Sequence, residues 1–318
     1  MSDSSASDSI ALGPGKEFDI IRDLLARWGP RAMGIGDDAA LLAVPAGERL
    51  VVSADSSVEH IHFERAWLTP REIGYRATMA ALSDLAAMAA SPLGILLALG
   101  LPKSWLDAAG EIGDGVGDAI DRANTLVRGG DITGASDLTL ALTVLGSTPA
   151  PLRRSGAHLG DTVYVTGSLG GPGAALAAWQ RGDAPAPAAR ERFARPVARI
   201  AEALWLARGG ARAAIDISDG LLADAEQMAT ASGVRIQIDL EKLPLHEGVS
   251  ARDAAVSGEE YELIVCAAAL NVSAFERANG LALTAIGHVL EPIPDGIGIT
   301  VRMNGERLAQ PKGFRHFS

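Results

Sequence analysis

Apolar residues recur along the chain with two periods, and each period predicts an element. Phe18, Ile21, Leu24, Leu25 and Trp28 fall on one face at helical spacing, so a helix is expected over Phe18 to Trp28. Arg49 to Ala54 reads as a strand that leads into Asp55. Thr69-Pro70-Arg71-Glu72 supplies a cap, a proline at the first helical position and a capping-box glutamate, which predicts a helix from Pro70 to about Ala90. Leu138 to Leu145 alternates every second residue, as a strand does, and Gly146 to Pro151 follows as a turn-rich break.

Beyond that break a strand over Thr162 to Thr166 passes through Ser168-Leu169-Gly170-Gly171-Pro172-Gly173 into a helix. The Ala- and Pro-rich stretch Gln180 to Arg190 reads as a surface loop, and a second helix is expected from Arg192 to Arg208. Strands near Ala213 to Ile217, Arg235 to Leu240, Glu262 to Ala267, Leu283 to Val289 and Gly298 to Met303 complete an α+β pattern without internal repeats. The expected organisation is a tail over residues 1–15, a first domain over 16–148 and a second over 149–318.

Composition narrows the class. The chain has 318 residues, 48% of them hydrophobic and 21% charged, which describes a globular protein with room for two cores. The longest apolar run, Ser91 to Pro102, is broken by glycine and proline and is shorter than the ~20 residues a membrane-spanning helix needs. Met1 to Gly15 is rich in Ser, Asp and Gly, with neither the basic start nor the apolar stretch of a secretory signal, and is expected to be a disordered tail. A net charge of −11 argues against nucleic acid, because backbone binding needs a basic face. Cys266, the single cysteine, lies in the apolar run Leu263 to Ala267 and is expected to be a buried thiol in the reducing cytoplasm.

The candidate chemistry is carboxylate. Asp37 and Asp38 follow Ile35-Gly36, Asp55 follows Val52-Ser53-Ala54, Asp84 sits in Leu82-Ser83-Asp84-Leu85, Asp131 follows Gly129-Gly130, and Asp216 and Asp219 bracket Ile217-Ser218. Any one of these suits a turn or a helix cap. Asp84 does not: it falls inside a predicted helix among small and apolar residues, so burial and a partner are expected. Gathered carboxylates flanked by glycine and serine call for a divalent cation, and oxygen donors without cysteine suit Mg²⁺, which commonly carries a nucleotide's phosphates. Asp219 also suits the N-cap of a helix from Gly220 to Ala231, whose N-terminus beside Ser218 could take a phosphate oxygen.

Other motifs are weaker. The glycine-rich segment Gly167 to Gly173 lacks the Lys-Ser/Thr ending of a phosphate loop. His60 and His62 would share a strand face, which permits zinc, yet no third soft ligand is evident and packing or substrate contact fits better. Asp114 and Asp118 resemble a calcium loop only loosely and read as a solvated helix start. Arg153 and Arg154 form an exposed basic turn or a phosphate clamp. Glu259, Glu260 and Glu262 crowd one strand entry and need solvent, metal or a cation.

Taken in order, Gly34 to Leu42, Ser53-Ala54-Asp55 with His62-Phe63, Leu82 to Met88, Gly129-Gly130-Asp131, Arg154-Ser155-Gly156 before Gly160-Asp161, Ile215 to Leu221, and Gly258 to Leu263 resemble the thiamine-monophosphate kinase family from about Lys16 to Phe317. The resemblance implies the two-domain aminoimidazole ribonucleotide synthetase-like α+β fold, with the N-terminal domain dimerising through its sheet and a second α/β domain. It implies ATP, several Mg²⁺ ions and transfer of the γ-phosphoryl group to thiamine monophosphate. It assigns metal to Asp38, Ser53, Asp55, Asp84, Asp131, Asp216 and Asp219, and ATP to Gly130, Asp131, Arg154 and Ser218. His62, Glu259 and Phe314 are assigned to the thiamine moiety.

The chain departs from the family where Ile132, Thr133 and Gly134 replace Thr-Thr-Arg, and at Ala54, Ala81 and Glu260, where Thr, Asn and Asp are usual. The alternatives are another ATP-using enzyme of this architecture, or a weakly active or non-catalytic nucleotide- or thiamine-phosphate-binding protein. No Ser, Cys or His nucleophile is expected, because a phosphate acceptor is already largely anionic near its second pKa of ~6.

Overall fold

The computed structural model describes residues 14–292 and 298–309. Phe314 and nearly all of the expected tail lie outside the described residues. The chain divides into one unit of residues 1–81 and 92–147, and another of residues 82–91 and 148–318.

The first unit contains, in order, α1 (Lys16–Trp28), β1 (Arg49–Val58), the start of α2 (Pro70–Ala87), β2 (Ser91–Leu101), α3 (Ala109–Ala123), β3 (Val127–Gly134) and β4 (Thr139–Thr148). The four strands pair in the order β1-β4-β2-β3, with β2 and β3 parallel. The capping box forms as its residues predict: the Thr69 N–H donates to Glu72 Oε2 at 2.8 Å and the Glu72 N–H to Thr69 Oγ1 at 3.2 Å. Helix α3 packs by glycine. A Cβ on Gly115 would collide with the carbonyl of Arg71, and one on Gly74 with that of Ile112, so α2 and α3 approach backbone to backbone.

Asp114 and Asp118 lie inside α3 rather than at a solvated helix start. Each is paired, Asp114 with Arg27 at 2.9 Å and Asp118 with Arg71 at 2.7 Å, so the calcium-like spacing is an ion-pair ladder between helices. Sequence reading passed over β2 and β3. Much of β2 is buried, which removes the alternation that betrays a strand, and all of β3 except Val127 and Ile132 is glycine or polar.

The second unit holds β5 (Thr162–Thr166), α4 (Gly171–Gln180), α5 (Pro187–Ala194), α6 (Ile200–Arg208), β6 (Ala213–Asp216), α7 (Leu221–Ser232), β7 (Arg235–Asp239), α8 (Ala251–Val256), β8 (Leu263–Ala267), α9 (Val272–Asn279), β9 (Leu283–Leu290), β10 (Gly298–Met303) and β11 (Glu306–Leu308). These strands form one mixed sheet in the order β11-β10-β7-β9-β5-β8-β6. Both faces are covered. Val163, Val165, Ile264 and Ile286 enter one core with Leu221, Leu222 and Met228 of α7. Tyr164, Val265 and Leu283 enter the other with Leu206 and Phe275. Ala86, Ala87 and Ala89 also belong to that second core, so the last turn of α2 is part of this unit.

The helix expected over Arg192 to Arg208 is two helices, because Pro196 has no N–H to continue the ladder. The loop expected to reach Arg190 ends earlier, where Pro187 starts α5. Cys266 is free and fully buried.

Candidate active site

In the first unit the predicted residues are spread over the sheet and its loops. Asp37 and Asp38 lie in an exposed turn, where the Asp38 N–H donates to Asp37 Oδ1 at 2.9 Å. Ser53 and Asp55 sit within β1, not beyond its end, and two-residue spacing puts them on one face. Asp131 likewise falls in mid-strand, in β3. Because β1 and β3 are opposite edges of the sheet, Asp55 and Asp131 are separated by two intervening strands. Gly130 is required sterically, since a Cβ there would meet the Leu97 carbonyl of β2.

His60 and His62 do not share a strand. The chain turns after β1, with His60 at φ 68°, and the Val58 N–H donates to His62 Nδ1 at 3.1 Å. That bond leaves the proton of a neutral His62 ring on Nε2. Beside Gly130 and Asp131, an apolar pocket is lined by Leu24 and Trp28 of α1, Leu97 and Leu99 of β2, and Ile132.

The second unit gathers its acidic residues around the end of β6. Asp216 is the last residue of that strand and is buried, and Ser83 Oγ donates to its Oδ2 at 2.7 Å. Burial pushes the Asp216 carboxyl up to about 6, the Asp84 carboxylate adds to the rise, and the Ser83 bond and the Arg154 guanidinium oppose it. Asp84 is half-buried rather than enclosed. Arg154 is exposed in a short turn over Arg154–Gly156, where a Cβ on Gly156 would strike the Arg212 carbonyl and Ser232 Oγ donates to the Arg154 carbonyl at 2.7 Å.

Asp219 does not cap α7; Gly220 occupies the cap position without a side-chain bond. The capping is done from inside the helix by Asp224, whose Oδ2 accepts from the N–H groups of Ser218, Asp219 and Gly220 at 3.0, 3.1 and 3.1 Å. Asp224 is 4% exposed, and burial, then Asp216 and Asp219, push its carboxyl up to about 7. Sequence reading missed this residue. Its only signal is an aspartate in the first turn of a helix that opens with Asp-Gly.

The turn over Ser257 to Tyr261 lies against the same loop. The Glu259 N–H donates to the Ser218 carbonyl and the Tyr261 N–H to the Ile217 carbonyl, both at 2.8 Å, while Tyr261 Oη donates to Glu259 Oε2 at 2.5 Å. The crowding is resolved internally at Glu262 and in part at Glu260. Glu262 receives Arg199 through two bonds of 2.8 and 2.5 Å and Arg192 at 3.0 Å. Glu260 Oε1 accepts the Gly170 N–H at 2.6 Å, and Ser257 Oγ accepts that of Gly173 at 3.1 Å. The phosphate-loop reading of Gly167 to Gly173 therefore fails for these two donors, which already serve protein oxygens.

Within either unit, no set of three or more Asp, Glu, His or Cys side chains among the described residues is arranged to hold a metal ion unaided. The donor set nevertheless fits Mg²⁺. It offers hard oxygens, and Mg²⁺ usually takes one or two carboxylates and completes its shell with water and phosphate oxygens. The raised Asp216 carboxyl has the same sense, since a carboxylate disfavoured by its neighbours is stabilised by an added cation. No helix among the described residues is long and apolar enough to cross a membrane.

Known proteins resemble both halves of the chain. Residues 36–148 match the family model of the AIR synthase related protein N-terminal domain, and residues 159–293 that of its C-terminal domain. A thiamine-monophosphate kinase of Synechococcus elongatus is 35% identical over 89% of this chain and 91% of its own length. The crystal structure of thiamine-monophosphate kinase from Stenotrophomonas maltophilia superposes with a TM-score of 0.79 at 36% identity, covering 93% of this chain and 98% of that one. A structure described as AaThiL complexed with AMPPCP and TMP superposes with a TM-score of 0.75 at 31% identity, covering 97% and 100%. With both halves matched and relatives of this identity spanning nearly the whole chain, the protein belongs to the thiamine-monophosphate kinase family.

Proposed function

We propose that this chain transfers the γ-phosphoryl group of ATP to thiamine monophosphate, giving thiamine diphosphate and ADP. The observation that carries the reading is the acidic end of β6. Asp216 is held out of water beside Asp84, under a loop whose backbone is fixed by Asp224 and flanked by exposed Arg154. A protein that only stored charge there would be destabilised by it; one that binds a nucleotide with its cation uses it.

In the transfer, an oxygen of the acceptor phosphate attacks the γ-phosphorus. The bond from that phosphorus to the β–γ bridging oxygen breaks, and its electron pair leaves with ADP. The acceptor needs no strong base, since its second pKa of ~6 leaves it mostly dianionic. Bound Mg²⁺ would neutralise the two polyanions and align their oxygens.

The residues' own work is binding and orientation. In the second unit Asp84, Asp216 and Asp219 would hold Mg²⁺, and in the first unit Asp38, Ser53, Asp55 and Asp131 would do the same. Arg154 offers a planar pair of donors to phosphate oxygens, and Ser218 and Gly130 contact the nucleotide. His62 of the first unit, with Nε2 left to donate, and Glu259 of the second are each assigned to the thiamine moiety, as is Phe314, which lies outside the described residues. The working form is a homodimer joined through the four-stranded sheet, a reading supported by the exposed Leu50 and Val52 on edge strand β1, and its place is the cytoplasm.

The test is to incubate the protein with ATP, Mg²⁺ and thiamine monophosphate and to separate the products by chromatography. Thiamine diphosphate and ADP in equal amounts are expected. Binding of both substrates with no product at any Mg²⁺ concentration would instead establish a binding protein.

A further inference from the structure

Glu260 has features that its neighbours do not share. It is 1% exposed and lies between two non-glycine residues in the left-handed region, Glu259 at φ 64° and Tyr261 at φ 52°. Such backbone persists only where its surroundings hold it. Backbone bonds from Glu259 and Tyr261 to Ser218 and Ile217 hold one side of the turn, and the Glu260 carboxyl holds the other. Its Oε1 accepts from the Gly170 N–H and from Ser257 Oγ, both at 2.6 Å, fastening the turn to the start of α4.

Its other oxygen, Oε2, is buried without a hydrogen-bond partner, 3.8 Å from Arg192 Nη2. Arg192 Nη2 donates elsewhere, to the Glu260 carbonyl at 3.1 Å and to Glu262 at 3.0 Å, while Arg192 Nε is likewise buried without a hydrogen-bond partner. A buried carboxyl that spends one oxygen on two short bonds and leaves the other unsatisfied is poorly placed for stability alone. Burial, the main cause, pushes it up to about 7.

We infer that Glu260 is a positioning residue for the acceptor: its carboxyl clips the strained turn that presents Glu259 to thiamine monophosphate. The inference rests on the proposed kinase reading, in which Glu259 meets the acceptor. It also assigns a division of labour. The Ile217–Gly220 loop has its own clamp in the three N–H bonds to Asp224, so loss of the Glu260 clip should loosen Glu259, left with only its backbone bond to the Ser218 carbonyl, more than it disturbs the nucleotide side.

The experiment compares Glu260→Ala, Glu260→Asp and Glu260→Gln in steady-state kinetics with each substrate varied. Glutamine keeps both the reach to Gly170 and an acceptor oxygen; aspartate keeps the charge but falls one methylene short. Alanine and aspartate should raise KM for thiamine monophosphate about tenfold or more while KM for ATP moves less than about twofold, and glutamine should restore near-natural values. A purely structural role would instead lower the active fraction without separating the two constants. Equal effects on both substrates, or a glutamine variant as impaired as alanine, would overturn the inference.

Hydrogen exchange gives a readout that needs no turnover. Amides of residues 258–262 and of Gly170 should lose protection in the alanine and aspartate variants but not in the glutamine variant. If the natural protein forms no thiamine diphosphate, the kinase reading fails by itself, and the exchange pattern still decides whether Glu260 holds the turn.

Discussion

Replacing Asp216 by asparagine isolates the electrostatic cost of the acidic loop. Burial and Asp84 raise this carboxyl from 3.8 to about 6 in the folded protein. At about 1.4 kcal/mol per pK unit, ionised Asp216 destabilises the cation-free fold by on the order of 3 kcal/mol. The sign follows from the direction of the shift. The folded state binds this proton more tightly than the unfolded chain, so the stabilising contribution is complete below about pH 4 and is lost as pH rises through about 6. Asp216→Asn retains an acceptor for the Ser83 hydroxyl, now 2.7 Å from Oδ2, and cannot ionise. In chelator at about pH 8 the variant should therefore exceed the natural chain in stability by roughly 2–3 kcal/mol, and the difference should vanish near about pH 4. Urea unfolding across that range measures it. Mg²⁺ should stabilise the natural chain at high pH and the variant far less, while the variant loses phosphoryl transfer. A variant less stable than the natural chain at about pH 8 in chelator would show instead that the Asp216 charge is compensated within the fold.

Asp84→Asn should lower turnover by roughly two orders of magnitude or more with an unchanged circular dichroism spectrum, and it should lower the titration point of Asp216 in metal-free protein by removing the neighbouring charge. Asp224→Ala leaves three N–H groups without their acceptor, and the buried one, on Gly220, costs about 1–3 kcal/mol; a higher KM for ATP with KM for thiamine monophosphate little changed is expected from substrate titrations. The double change Ile132→Thr with Gly134→Arg restores a hydroxyl and a cation beside Asp131. A Cβ at Gly134 meets nothing within 4 Å, so kcat/KM for ATP should rise without loss of fold.

Local chemistry was legible where it is written locally. The capping box at Thr69 and Glu72, the alternation over Leu138 to Leu145 and the glycine-bounded helices were read because their causes lie within a few residues. Strand β2 was not, since burial along much of its length erases alternation, and Pro196 divided a helix that apolar content alone had joined. In the site, the aspartates announced themselves by number and neighbours. What could not be read was compensation from a distance: Arg192 and Arg199 reaching Glu262 from more than sixty residues away in sequence, or Ser83 meeting Asp216 across 133 positions. Asp224 was missed because a first-turn aspartate of an amphipathic helix looks like any solvated acid until its carboxylate is seen turned back onto three backbone amides.

Helix α2 begins in one unit and ends in the other, and the turn that crosses over carries Ser83 and Asp84. A gene fragment starting at the break near Thr148 would encode a sheet whose second core lacks Ala86, Ala87 and Ala89 and whose Asp216 has lost the Ser83 hydroxyl. The two halves are consequently not exchangeable modules. Recombination that brought a foreign first half to this second half would have to respect the sequence of that helix as well as the linker, so the halves are constrained to evolve as a pair.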